Sequence, residues 1–127
     1  MILLDTHTFL WFVNDPSQLP PRVNQLIEET ENVYVSIASF WEMTIKSSKG
    51  KLELPTSITK MMLDCQTLGL TILPIKGNHL EHLSQLPWIH KDPFDRLLIC
   101  QAQSEELTLL TVDENIQKND DRTAWEQ

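Results

Sequence analysis

The chain of 127 residues is long enough for one ordinary domain with a single sizeable core, and residues 1–127 are read as one unit. Its 18 acidic against 10 basic side chains give a net charge of −8, which excludes a broad cationic face that grips nucleic acid by charge alone. Any nucleic-acid contact must therefore be local.

The opening "MILLDTHTFLWFV" is apolar but carries Asp5 and His7, lacks a basic leading region and has no small-residue cleavage site. It reads as a strand, Ile2 to Leu4, closed by Asp5, rather than as a signal peptide. Val23, Leu26 and Ile27 follow "PP", a proline start signal, and form the apolar face of a helix. The β-branched and aromatic run Val33 to Ile37 is a second strand, and the helix after it carries Glu42. Ile58, Met61, Met62, Cys65 and Leu68 recur at helical spacing before Gly69, a C-cap. Leu70 to Ile75 and Leu107 to Val112 are further strands, with helices marked by Leu80, Leu83 and Leu86 and by Leu97 to Ala102 between them. Cys65 and Cys100 fall within apolar helical patterns, as small buried hydrophobes of a reduced, cytoplasmic protein. No run approaches membrane-spanning length.

Continuous apolar strands separated by amphipathic helices predict a sheet covered on both faces: a three-layer α/β/α sandwich around a mostly parallel sheet. In such sheets ligands bind beyond the carboxyl ends of the strands. Asp5 and Asp113 end strands, Glu42 lies in the helix after the second strand, and Asp92 and Asp95 open the helix that feeds the last, so five acids fall on one predicted edge.

Each acid also has a structural reading. Asp113 could cap a helix, Asp92 before Pro93 is a good N-cap with Asp95 favouring the positive helix end, and Ser39 with Glu42 fits a capping box. Glu42 and Lys46 make a favourable i, i+4 pair. Asp5 resists such a reading unless it caps the next turn or meets a cation. Carboxylates gathered without matching arginines repel one another unless a hard cation neutralises them, and Mg²⁺ or Mn²⁺ suits an all-oxygen cup that also receives a phosphate. The histidines fit zinc poorly, because His79 and His82 sit on what reads as a surface helix while His7 and His90 stand alone.

The stretches "LLDTHTFLW", "SIASFWEMTIKSSKGKLELP" and "HKDPFDRLLICQAQSEELTLLTVDENI", with Trp125 at the close, together resemble a PIN domain, in particular the VapC-type toxins of toxin–antitoxin pairs. The resemblance spans nearly the whole chain and implies a four- or five-stranded sheet whose last edge strand has only Thr123 to Trp125 available to it. It implies an RNA-cleaving hydrolase whose quartet of acids binds Mg²⁺ or Mn²⁺, matched here by Asp5, Glu42, Asp95 and Asp113. Asp5 would be the central ligand, Glu42 and Asp95 would complete a first site, and Asp113 would support a second ion or hold the attacking water. Asp92 is an additional acid, read as an alternate ligand or a partner of the ligands. Thr6 and Thr111 read either as hydroxyls that orient these acids or as turn caps. Lys46 and Lys49 share a face with Glu42 and read as phosphate contacts or as a solvated face, and Arg96 as a partner for an acid or a phosphate.

The same resemblance implies a homodimer silenced by a small antitoxin, in the cytoplasm and away from membranes. Trp11, Phe12, Phe40 and Trp41 are read as core or interface. The alternatives are an inactive domain kept for partner binding and a receiver-like module. A receiver needs an acid closing a middle strand and a lysine closing the last, and "LPIKG" and "LTLLTV" offer neither.

Overall fold

The computed structural model describes residues 1–87 and 92–111. His90, Asp113 and residues 123–125 lie outside that range, and with them the expectations of a fifth strand and of a fourth quartet acid.

The described chain runs β1 (Ile2–Leu4), α1 (Thr6–Asn14), a short 3-10 turn (Pro16–Gln18), α2 (Pro21–Glu29), β2 (Val33–Ser36) and α3 (Ile37–Ser48). It continues through α4 (Ile58–Thr67), β3 (Thr71–Leu73), α5 (Gly77–Gln85), α6 (Pro93–Glu105) and β4 (Thr108–Leu110). The four strands form one parallel sheet in the order β3-β2-β1-β4. The expected three-layer α/β/α fold is therefore present.

Strand periodicity assigns the two faces. Ile2, Leu4, Val33, Val35, Ile72 and Leu110 point into a core shared with Phe9, Val23, Ile27, Phe40, Met43, Met61 and Cys65, which come from α1 to α4. Leu3, Tyr34, Leu73 and Leu109 point to the opposite face, against Leu98, Ile99 and Ala102 of α6. α5 packs on α6. A strand buried on both sides has no polar face to alternate, which is why these runs are continuously apolar.

Local chemistry sets most boundaries. Pro21 opens α2 at its first position. Gly69, at φ +85°, follows α4, with Leu70 N bonded to Cys65 O at 3.1 Å and Gly69 N to Gln66 O at 3.0 Å, a Schellman ending. β3 is shorter than the expected Leu70 to Ile75, since Pro74 has no N–H to give a ladder. Leu26 and Leu68, expected on buried faces, are exposed, and Leu86 lies just past α5. Both cysteines are buried and free, as expected, and burial lifts each thiol to about 11. His79 corrects the reading of α5 as a surface helix: it is fully buried, and its ring bonds Glu105 of α6. Among the described residues no helix is long and apolar enough to cross a membrane.

Candidate active site

β1 is central, and the sheet grows from it in opposite directions, through β2 to β3 on one side and to β4 on the other. The carboxyl end of β1 is thus the switch point at which an open parallel sheet forms a crevice. Asp5 is the first residue beyond it. Its N–H bonds Leu110 O at 3.1 Å, so the backbone is still held by β4 where the side chain enters the crevice.

A pocket of about 280 Å³ opens there, lined by Asp5, Thr6, His7, Glu42, Lys46, Asp92 and Asp95. Four carboxylates from three separate segments meet around it, and Asp113, the fifth acid of the predicted edge, lies outside the described residues. Asp5 and Glu42 are each only 4% exposed.

Asp5 is also the N-cap of α1, so the structural and chemical readings of this acid coexist. Its Oδ1 accepts from Thr8 N at 2.8 Å and its Oδ2 from Thr111 Oγ1 at 2.5 Å. Burial raises its pKa, and the hydrogen bonds from Thr111 and Thr8 oppose that rise. Thr111, which follows β4, is therefore an orienting hydroxyl rather than a turn cap.

Glu42 is held at both oxygens. Thr6 Oγ1 donates to Oε1 at 2.6 Å and lies 3.0 Å from Ser39 Oγ, while Lys46 Nζ donates to Oε2 at 2.6 Å. The capping box expected from Ser39 and Glu42 is not formed. Ser36 is the N-cap of α3, its Oγ accepting from Ala38 N at 3.0 Å, so Ser39 is already one turn into the helix and faces Thr6. The i, i+4 pair of Glu42 and Lys46 is formed, and Lys46 is held in its charged form by the bond to Glu42 and by the charges of Asp92 and Asp95.

Asp92 caps α6, its Oδ1 accepting from Phe94 N at 2.9 Å and from Asp95 N at 3.1 Å. Asp95, in the first turn of α6, lines the pocket beside it. At this edge Trp41, 57% exposed, stands edge-on to Phe94 with ring centroids 5.1 Å apart.

Two expected contributors are placed elsewhere. Arg96 is 3% exposed, does not line the pocket, and donates to the carbonyls of Pro87 at 2.8 Å and Leu86 at 3.0 Å, pinning the end of α5 to α6. Lys49 is the exposed C-cap residue of α3 and also lies off the pocket. Sequence reasoning missed His7 and Ser39 as neighbours of the acids. The signal for His7 was its position two residues past Asp5, on the first turn of a helix whose start faces the crevice.

Among the described residues, no three histidine, cysteine, aspartate or glutamate side chains form, as they stand, a group that could hold a metal ion. The four carboxylates and the Thr6 hydroxyl that line the pocket are nevertheless the oxygen donors a hard divalent cation takes, with His7 and Lys46 beside them.

Comparison with known proteins bears on this arrangement. The family model described as PIN domain matches residues 2–122. Ribonuclease VapC22 of Mycobacterium tuberculosis is 23% identical over 122 residues, 93% of this chain and 91% of that protein. Among solved structures, VapBC2 from Rickettsia felis bound to a DNA fragment from its promoter superimposes with a TM-score of 0.70 at 17% identity, covering 99% of this chain and 98% of that one. A toxin–antitoxin complex from Klebsiella pneumoniae gives 0.66 at 16% identity, over 98% and 96% of the two chains. FitAcB from Neisseria gonorrhoeae gives 0.65 at 20% identity, over 99% and 97%. At these identities the structures establish a shared fold.

Proposed function

We propose that this chain, which belongs to the PIN domain family, is a divalent-metal-dependent endoribonuclease acting as the toxin of a toxin–antitoxin pair. The observation that carries the reading is the convergence of Asp5, Glu42, Asp92 and Asp95 on one pocket at the switch point of the sheet. Four acids brought together by three segments cost stability unless a cation repays the repulsion.

Asp5, Glu42 and Asp95 are the residues that would hold Mg²⁺ or Mn²⁺, with Asp113, outside the described residues, as the fourth acid of the quartet. Bound there, the ion supplies a polarised phosphate and an acidified water for hydrolysis of the phosphodiester bond. The protein's own share is orientation. Thr8 N and Thr111 Oγ1 engage both oxygens of Asp5, and Thr6 Oγ1 engages one of Glu42, which orients these two carboxylates. Asp92 keeps the first turn of α6 in place and thereby the direction of Asp95. Lys46, the cation lining the pocket, is the group placed to meet a substrate phosphate.

The toxin role draws on relatives that are ribonucleases or parts of toxin–antitoxin complexes. It carries with it a cognate antitoxin, a homodimer and a cytoplasmic site of action. Purified protein incubated with a mixed cellular RNA pool tests the enzymatic reading. Cleavage should require Mn²⁺ or Mg²⁺, stop with EDTA, and be lost in Asp5→Asn prepared identically; equal cleavage by both proteins would overturn it.

A further inference from the structure

We propose that Lys46 is a built-in counterion that occupies Glu42 in the metal-free protein and must release it when a divalent cation enters the pocket. The inference rests on the pocket being a metal site, and it concerns what stands in the ion's way.

Glu42 is almost wholly buried and has its two oxygens engaged from opposite sides, by the Thr6 hydroxyl and by the Lys46 ammonium. The hydroxyl is compatible with a bound ion, since it is neutral and takes only one lone pair. The ammonium is not. Nζ lies 2.6 Å from Oε2, and a ligand oxygen lies about 2.1 Å from Mg²⁺, so an ion on that oxygen would be less than about 5 Å from the ammonium whichever lone pairs the two used. Two cations at that range repel, the more so because the Glu42 carboxylate between them is buried.

Lys46 is also favoured in its charged form by Asp92 and Asp95 as well as by Glu42, so one flexible ammonium answers three of the four acids around the pocket. That partial neutralisation lowers the mutual repulsion of the acids around the pocket.

The release asks little of the fold. The Lys46 side chain is 37% exposed, and it sits one helical turn from Glu42 on the same face of α3. Its ammonium can swing to the pocket mouth without any movement of the helix. There it would meet the phosphate, so that metal binding converts Lys46 from a carboxylate partner into a substrate contact, and loading is ordered with the ion before the RNA.

Mn²⁺ binding to the full chain, followed by isothermal titration calorimetry with MnCl₂, tests this with wild type, Lys46→Met and Lys46→Arg. Lys46→Met keeps the apolar stem and removes the charge, so it should bind Mn²⁺ roughly five- to tenfold more tightly. Its metal-free thermal midpoint should fall, because Glu42 loses a partner. Lys46→Arg keeps the charge and should stay within about twofold of wild type. Should Lys46→Met not fold, Lys46→Gln makes the same comparison. Unchanged or weaker binding in the neutral variant, alongside clear wild-type binding, would overturn the counterion role while leaving the metal site standing. Absence of Mn²⁺ binding in all variants and in wild type would remove the metal site, and the counterion role with it.

Discussion

Thr6 and Glu42 are joined by a 2.6 Å hydrogen bond that ties the first turn of α1 to the middle of α3. The bond spans two helices that leave neighbouring strands, and it exists because β1 and β2 pair in parallel with Leu4 opposite Val35. Thr6→Val leaves a buried carboxylate oxygen without its donor and should cost about 1–3 kcal/mol in chemical denaturation. Cleavage should fall at the same time, and Thr6→Ser, which restores the hydroxyl, should recover both.

Asp5 is a charge buried against its own preference. Its folded-state pKa lies above the ordinary 3.8 because desolvation outweighs the bonds from Thr111 and Thr8. The folded protein therefore keeps this proton to higher pH than the unfolded chain does. The cost of burying the charge is absent in acid and is complete once the pH has risen past the folded-state value. Asp5→Asn should accordingly raise the metal-free thermal midpoint at pH 7, with the gain shrinking toward pH 3, while it abolishes cleavage. A fall in the neutral-pH midpoint would show that the charge is better satisfied than its burial implies.

Asp92 separates capping from chemistry by choice of substitution. Asp92→Ala removes the acceptor for Phe94 N and Asp95 N and should cost about 1 kcal/mol, whereas Asp92→Ser keeps a capping oxygen and should cost little. If Asp92 acts only as the cap, Asp92→Ser cleaves RNA at nearly the wild-type rate. A stable but inactive Asp92→Ser would make this acid a direct metal ligand.

Away from the pocket, His79 Nδ1 accepts from Lys76 N at 3.0 Å, so Nε2 carries the proton and donates to Glu105 at 3.1 Å. The bonds from His79 and Lys76 hold the Glu105 carboxyl below its ordinary pKa. A depressed carboxylate stabilises the fold above its unfolded-state value, and that contribution disappears as the pH falls through the folded-state one. Glu105→Ala leaves a buried N–H without its acceptor and should cost about 1–3 kcal/mol at pH 7, less at pH 3, with the catalytic pocket intact. Equal destabilisation at both pH values would mean the loss is one of packing.

These cases also mark what the sequence alone could carry. β1 with its closing Asp5 was legible because a central parallel strand is apolar on both faces, and the Asp92 cap because Asp before Pro is a strong local signal. Asp5, Asp92 and Asp95 were legible because they sit at a strand end and a helix start that the pattern fixes, and Glu42 because it lies in the helical run that follows β2. Burial of His79 was not, since its partner Glu105 is 26 residues away and only the packing of α5 on α6 brings them together. The carbonyl partners of Arg96 belong to a chain turn with no pattern of its own. Ser39 was misread because both Ser36 and Ser39 are good caps, and the choice between them depends on where β2 stops pairing.

The most direct test of the central claim is the chemistry of the ends left on a defined single-stranded RNA cut in Mn²⁺ by wild type, beside an EDTA control and Glu42→Gln. Hydrolysis by an ion-activated water, with the 3′ oxygen as leaving group, predicts 5′-phosphate and 3′-hydroxyl ends, formed only with the metal and at least about 10²-fold more slowly in Glu42→Gln. Cyclic 2′,3′-phosphate ends, or cleavage that survives EDTA and the Glu42 substitution, would contradict a carboxylate-held metal as the source of activity.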